Sequence, residues 1–230
     1  MADTARVRGT PHEIALLAGG PRAAVTVAVV ALHLRGAVEP GAPGTVTAVD
    51  NEAGRALPEL PTPEEVLALE DDIPADLRVP YLESAVYQRL YEPCDIRELG
   101  RDPEVRWAVA TLKIGLADGG MVGLPLLRPT RAARRRLHLL RTAYPVPASR
   151  ADLSDDEKLL AVALHGEAAL RVVVPRFALR AGLTERVRLR RKRALRRSSH
   201  TSGGGYTGHL YCSGAAGCGG GSGCGGGGGY

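Results

Sequence analysis

The last 33 residues, Ser198 to Tyr230, set the tightest limit on what this chain can fold into. They hold 15 of its 29 glycines and three of its four cysteines, with almost no aliphatic side chains. Such a segment cannot bury enough apolar surface to offset the entropy of ordering its backbone. The sequence therefore divides into a flexible N-terminus (1–9), a helical body (10–183), a basic linker (184–197) and a disordered Gly/Cys-rich tail (198–230). The body is long enough for one modest core.

Charge separates along the same line. Eight of the 30 basic residues (Arg186, Arg188, Arg190, Arg191, Lys192, Arg193, Arg196 and Arg197) lie in the linker. Without them and Glu185, residues 1–182 carry 22 basic and 24 acidic side chains, so the net +5 does not describe the body.

The most apolar window runs only from Ala23 to Leu34, between Arg22 and Arg35, and includes His33. A membrane span needs about 20 apolar residues, so this window reads as a buried core helix. Met1 to Arg8 is followed by no apolar stretch of signal-peptide length. The expectation is a cytoplasmic protein, peripheral to a membrane at most, in a compartment where disulfides are rare.

Helix signals are explicit in the body. Thr10-Pro11-His12-Glu13 is a capping box with Pro at the first helical position. The short helix it starts ends at Gly19-Gly20, and Pro21 opens a second helix that closes at Gly36. Val38 and Thr45 to Val49 flank a Pro/Gly turn and read as a hairpin. Helix, tight turn, helix, hairpin is the order of a winged helix-turn-helix.

Ser154-Asp155-Asp156-Glu157 repeats the capping box, and Gly166 to Gly182 repeats the sixteen-residue spacing of Gly20 to Gly36. Asp102-Pro103 starts a comparable helix that ends at Gly119-Gly120. Thr62-Pro63-Glu64-Glu65 starts a further helix, Pro80 to Tyr91 another, and Pro129-Thr130 an arginine-rich one, while 50–61 and 70–79 read as loops. Pro175 should kink the last helix. The fold expected is mainly α: tandem winged-helix-like units at about 10–50, 80–125 and 152–183 with a small β-hairpin, followed by the disordered tail.

Leu16-Leu17-Ala18-Gly19-Gly20-Pro21-Arg22-Ala23-Ala24, the helix after it and its close at Arg35-Gly36-Ala37-Val38 resemble an uncharacterised, mainly actinobacterial family. In that family a helical domain precedes a Gly- and Cys-rich low-complexity tail. Pro80-Tyr81-Leu82-Glu83-Ser84-Ala85-Val86 is similar to its second helix signature, and the likeness covers residues 10–120. Transmembrane helices often accompany the family's domain. The sequence here contains no such segment, so the resemblance does not carry a membrane location across. It implies no activity and supplies no catalytic residues.

Few residues ask for chemistry. The six histidines are scattered, His33 reads as a satisfied core histidine, and Cys94 stands alone. There is no phosphate-binding Gly-rich loop, nucleophile elbow or dinucleotide fingerprint. The tail's Cys212, Cys218 and Cys224, with His209, offer thiolates and an imidazole for zinc or copper. Their five-residue gaps are wider than those of structural zinc sites, and a tail bearing unmodified or modified cysteines is the alternative. The linker's eight charges suit an anionic surface, either nucleic-acid phosphates or acidic lipid. Arg131, Arg134, Arg135, Arg136 and Arg141 form a second basic patch on one helix, with Arg134, His138 and Arg141 on one face and Leu137 and Leu140 turned inward.

The function expected is therefore a non-enzymatic protein-binding or adaptor protein, with no cofactor required. Its body would bind a protein partner and its linker would tether it to an acidic surface. The alternatives are a nucleic-acid-binding winged-helix-like protein and a metal-binding or modified Cys/Gly tail on a carrier domain.

Overall fold

The computed structural model describes residues 9–62, 64–65, 73–123 and 128–184. Those residues are mainly helical. Helices α1 (Pro11–Gly19) and α2 (Pro21–Leu34) lead into strands β1 (Val38–Pro40) and β2 (Val46–Ala48), followed by the single-turn α3 (Glu52–Arg55). Next come α4 (Arg78–Arg89), α5 (Ile96–Leu99), α6 (Pro103–Asp118), and strands β3 (Val122–Gly123) and β4 (Arg128–Pro129). The described part ends with α7 (Arg131–Ala143), α8 (Asp155–His165), α9 (Glu167–Val173) and α10 (Pro175–Arg180).

Helix α2 is the centre of the core. Ala24, Val25 and the run Val27 to Leu32 are buried, so it is covered on nearly every side. A helix apolar all round has to be packed all round, and α1, α4, α6 and α8 supply the cover. Its stiff β-branched valines fill the space between these neighbours with little rotamer freedom to lose. The β1–β2 hairpin is antiparallel, with Glu39 opposite Thr47. Val46 also exchanges backbone hydrogen bonds with Cys94 (3.0 and 3.2 Å), which fastens the hairpin to the chain after α4. The buried Cys94 thiol is pushed up in pKa chiefly by burial.

Both reciprocal bonds of the two capping boxes form, at Thr10/Glu13 and at Ser154/Glu157. Thr62 and Glu65 make the same pair, Thr62 N–H donating to Glu65 Oε2 at 2.7 Å. Thr130 caps α7 by accepting from Ala133 N–H at 3.2 Å.

Three helix ends close with the same backbone turn. Ala37 N–H donates to Leu32 O (2.9 Å), Met121 N–H to Leu116 O (2.8 Å) and Leu183 N–H to Ala178 O (2.9 Å). In each case the residue before the donor is a glycine at positive φ, Gly36 (73°), Gly120 (65°) or Gly182 (69°). This is the six-to-one closure of a Schellman motif. Gly20 and Gly166, also at positive φ, stand before α2 and α9. After Gly36 and after Gly120 the chain continues into a two-stranded sheet.

In several places the structure differs from the expectation. Residues 51–55, which read as loop, hold α3, because Asn51 caps it by accepting from Gly54 N–H at 2.8 Å. Asp95 does the same for α5 with Arg97 N–H at 2.7 Å. The α4 helix begins two residues before Pro80, at Arg78. Pro175 breaks the last helix rather than kinking it: Val174 leaves helical geometry (φ −133°, ψ 56°), giving α9 and α10. The β3–β4 hairpin leaves no pattern in the sequence, since only two residues per strand carry it.

Candidate functional site

Helix α7 presents the most one-sided chemistry on the described surface. No Asp or Glu lies between Asp118 and Asp152, a stretch that holds seven arginines. Ala133 and Leu137 are buried and fix the inner face of α7. That orientation turns Arg131, Arg134, Arg135 and Arg141 outward and leaves Arg136 half-buried. None of these five forms an ion pair among the described residues. Two are oriented by backbone carbonyls: Arg134 Nε–H donates to Pro129 O (3.3 Å) and Arg141 Nε–H to Leu164 O (3.0 Å). Their remaining guanidinium donors stay available. Arg134, His138 and Arg141 line one cleft with Leu17 and Ala18 of α1.

Beside these arginines stands Leu139, 66 % exposed, and beyond the helix Val146 is 42 % exposed. Arg131, Arg135 and Leu139 recur at four-residue steps and so occupy one side of the helix. The result is an exposed apolar side chain with Arg135 one turn before it and Arg131 two turns before it.

A second cluster leaves little trace in the sequence. The buried His12 of α1 and Glu83 of α4 meet Arg35 at the end of α2, whose side chain reaches in from the surface. Arg35 Nη2 lies 2.6 Å from Glu83 Oε2 and His12 Nε2 3.4 Å from Glu83 Oε1. His12 is 3 % exposed, and neither ring nitrogen has a hydrogen-bond partner. Burial, helped by the Arg35 charge, lowers its pKa to about 3, so it is neutral. Burial raises the Glu83 carboxyl against the opposing pull of Arg35. Neighbouring Ser84 donates to Pro58 O (2.7 Å) and Tyr87 to Val49 O (3.0 Å), which holds the chain around α3 to α4. This cluster ties three helices together. The signal that could have found it is the stripe His12, Ala15, Leu16, in which the histidine occupies a core-facing position of α1.

The other histidines have structural partners. His33 Nδ1–H donates to Val38 O (2.9 Å) and its ring stacks on Phe177 with centroids 3.8 Å apart. His165 Nε2–H donates to Tyr144 O (2.7 Å), across to the end of α7 rather than capping its own helix. Asp155 and Asp156 sit in the first turn of α8, where the helix dipole favours them.

The linker residues Arg186, Arg188, Arg190, Arg191, Lys192, Arg193, Arg196 and Arg197 lie outside the described residues, as do Cys212, Cys218, Cys224 and His209. Among the described residues no three His, Cys, Asp or Glu side chains gather as a metal set. No helix among them is long and apolar enough to cross a membrane. Compared with known proteins, the chain matches no family model, no curated protein and no solved structure.

Proposed function

We propose that this chain is a non-enzymatic binding protein that docks an acidic protein partner on the outer face of α7, with the basic linker adding long-range attraction. The observation that carries this reading is the exposed Leu139 on the side of α7 that bears Arg131 and Arg135, neither of which pairs with a carboxylate among the described residues. Arginine and large apolar side chains are what protein interfaces concentrate, an apolar centre being fully desolvated inside a polar rim. The charges speed encounter with an acidic partner, and the leucine gives it a place to bury.

Nucleic-acid binding through winged-helix-like units is the competing reading. The order α1, turn, α2, hairpin favours it, since α2 stands where a recognition helix would. Groove reading needs polar side chains along the exposed face. Helix α2 has Arg22 and Thr26 near its start and then a buried apolar run, so a nucleic acid would be held by phosphate contacts alone.

A photo-crosslinking side chain at position 139 of the full chain, expressed in its native host, separates the two. The expected result is a defined protein adduct that is lost when Arg131 and Arg135 are both changed to Glu. Adducts to nucleic acid alone, or a protein adduct indifferent to the charge reversal, would overturn the proposal.

A further inference from the structure

On the inner side of α7, away from the docking face, lies a cavity of about 230 Å³ between α1, α6 and α7. Its walls are Ile14 and Leu17 of α1, Leu116 of α6, Met121, and Leu137 and Leu140 of α7. Gly119 contributes no side chain, and a Cβ there would meet nothing closer than the Gly115 carbonyl oxygen at 3.5 Å, which leaves the space open; at Gly115 the room for a side chain is taken by the Arg78 guanidinium. Two polar groups stand at its rim, Glu13 and Arg136. The Glu13 carboxylate is already engaged, since its Oε2 accepts from Thr10 N–H (2.8 Å) and Thr10 Oγ–H (3.2 Å) in the capping box. The Arg136 guanidinium has no such commitment. It lies beside Gly9, where an added Cβ would stand 3.7 Å from its Nη2, and no carboxylate among the described residues pairs with it.

We infer that this cavity binds a medium-chain aliphatic carboxylate, the tail in the cavity and the head group on Arg136. An apolar cavity of about 150 Å³ accepts a six-carbon ring, so this one has room in proportion for about eight to ten carbons. Apolar walls with one or two placed polar groups are the usual make-up of a small-molecule site. A guanidinium matches a carboxylate with two parallel N–H donors. A neutral chain of the same length would gain the burial but not the ion pair.

The test titrates the full chain with sodium octanoate and, separately, with 1-octanol, followed by calorimetry. Octanoate is expected to bind saturably with one site per chain. Arg136→Gln should weaken octanoate at least tenfold while leaving octanol unchanged. Gly119→Leu should abolish both, because a Cβ there meets nothing closer than the Gly115 carbonyl oxygen at 3.5 Å and its side chain has the cavity to fill. Far-UV circular dichroism of each variant checks that the fold persists. Should Gly119→Leu unfold, Arg136→Gln decides alone, through the octanoate-to-octanol ratio. The proposal is overturned if octanoate shows no saturable site, as when the chain's own residues fill the space. It is overturned equally if Arg136→Gln binds octanoate as the unaltered chain does, or if a folded Gly119→Leu still binds.

Discussion

His12 makes a prediction whose size comes from its surroundings. The ring is buried with both nitrogens unbonded, and its pKa is lowered to about 3 from an ordinary value of 6.5. In the unfolded chain the imidazole takes up a proton as the pH falls through its ordinary range, while in the folded chain it stays neutral. Protons therefore accumulate on the unfolded state, and stability is lost as pH falls from about 6.5 toward 3. Between pH 7 and pH 5 this one group should cost about 2 kcal/mol of folding stability, from integrating a single proton difference over that interval. Glu83, whose raised pKa acts in the opposite sense, is present in both chains compared. The perturbation is His12→Leu. Urea unfolding followed by circular dichroism at both pH values gives four stabilities, and their double difference isolates the histidine. The variant should lose about 2 kcal/mol less than the unaltered chain over the two pH units. At pH 7 it should be as stable or up to about 1 kcal/mol more so, since an unsatisfied buried polar group is exchanged for an apolar one. Equal losses on acidification in the two chains would refute the burial argument, however stable the variant proved.

Three further outcomes are expected. Gly120→Ala should cost about 1 kcal/mol for a side chain in the left-handed region, and Gly182→Ala more, since its Cβ would also press on Gly44 Cα at 3.1 Å; thermal melts should rank them in that order. Gly54→Ala should destabilise by about 1–3 kcal/mol through overpacking, because the new Cβ would fall on the Tyr87 ring and hydroxyl and displace the bond from Tyr87 to Val49 O; denaturant midpoints check it. In a chain with Cys212, Cys218 and Cys224 changed to Ser, Cys94 should react with a thiol reagent only as fast as the fold opens, since the thiol is buried and its pKa raised. A fast reaction in native buffer would contradict that placement.

The sequence makes legible whatever its local chemistry decides. Thr10 with Glu13 and Ser154 with Glu157 announce helix starts because both partners of each bond lie three residues apart. The apolar run in α2 announces a core helix because no other surroundings would satisfy it. The arginines of α7 are legible as a patch, and the inward turn of Leu137 with them, since one helical period relates them. Exposure of Leu139 is not legible, because it depends on where α1 and α8 stop covering α7. The short helices α3 and α5 escape notice although Asn51 and Asp95 cap them, a four-residue run being too brief to show periodicity. The His12, Arg35 and Glu83 cluster is out of reach for another reason: its members come from three helices, and only tertiary packing brings them within 3.4 Å.

The repeated closure also explains how one chain separates its chemistry from its core. Helices α2, α6 and α10 end with the same backbone turn, at Gly36, Gly120 and Gly182, but the chain takes a different course after the first two. After Gly36 it enters β1–β2, which Val46 and Cys94 bind to the core. After Gly120 it enters the minimal β3–β4 pair, and Thr130 N–H donates back to Met121 O at 3.0 Å. That short return places the first turn of α7 directly beside the end of α6. Helix α7 is thereby held by few apolar side chains, Ala133 and Leu137 foremost, and the rest of its surface needs no burial to stay helical. An element anchored so lightly can carry arginines without countercharges, because they remain hydrated and do not strain the core. It can also leave a cavity beneath itself, since Gly119 provides no side chain to close the gap. The basic outer face and the open inner side of α7 are thus two consequences of one packing arrangement. Filling the cavity through Gly119→Leu should leave the docking of the outer face intact, whereas reversing Arg131 and Arg135 should leave octanoate binding intact.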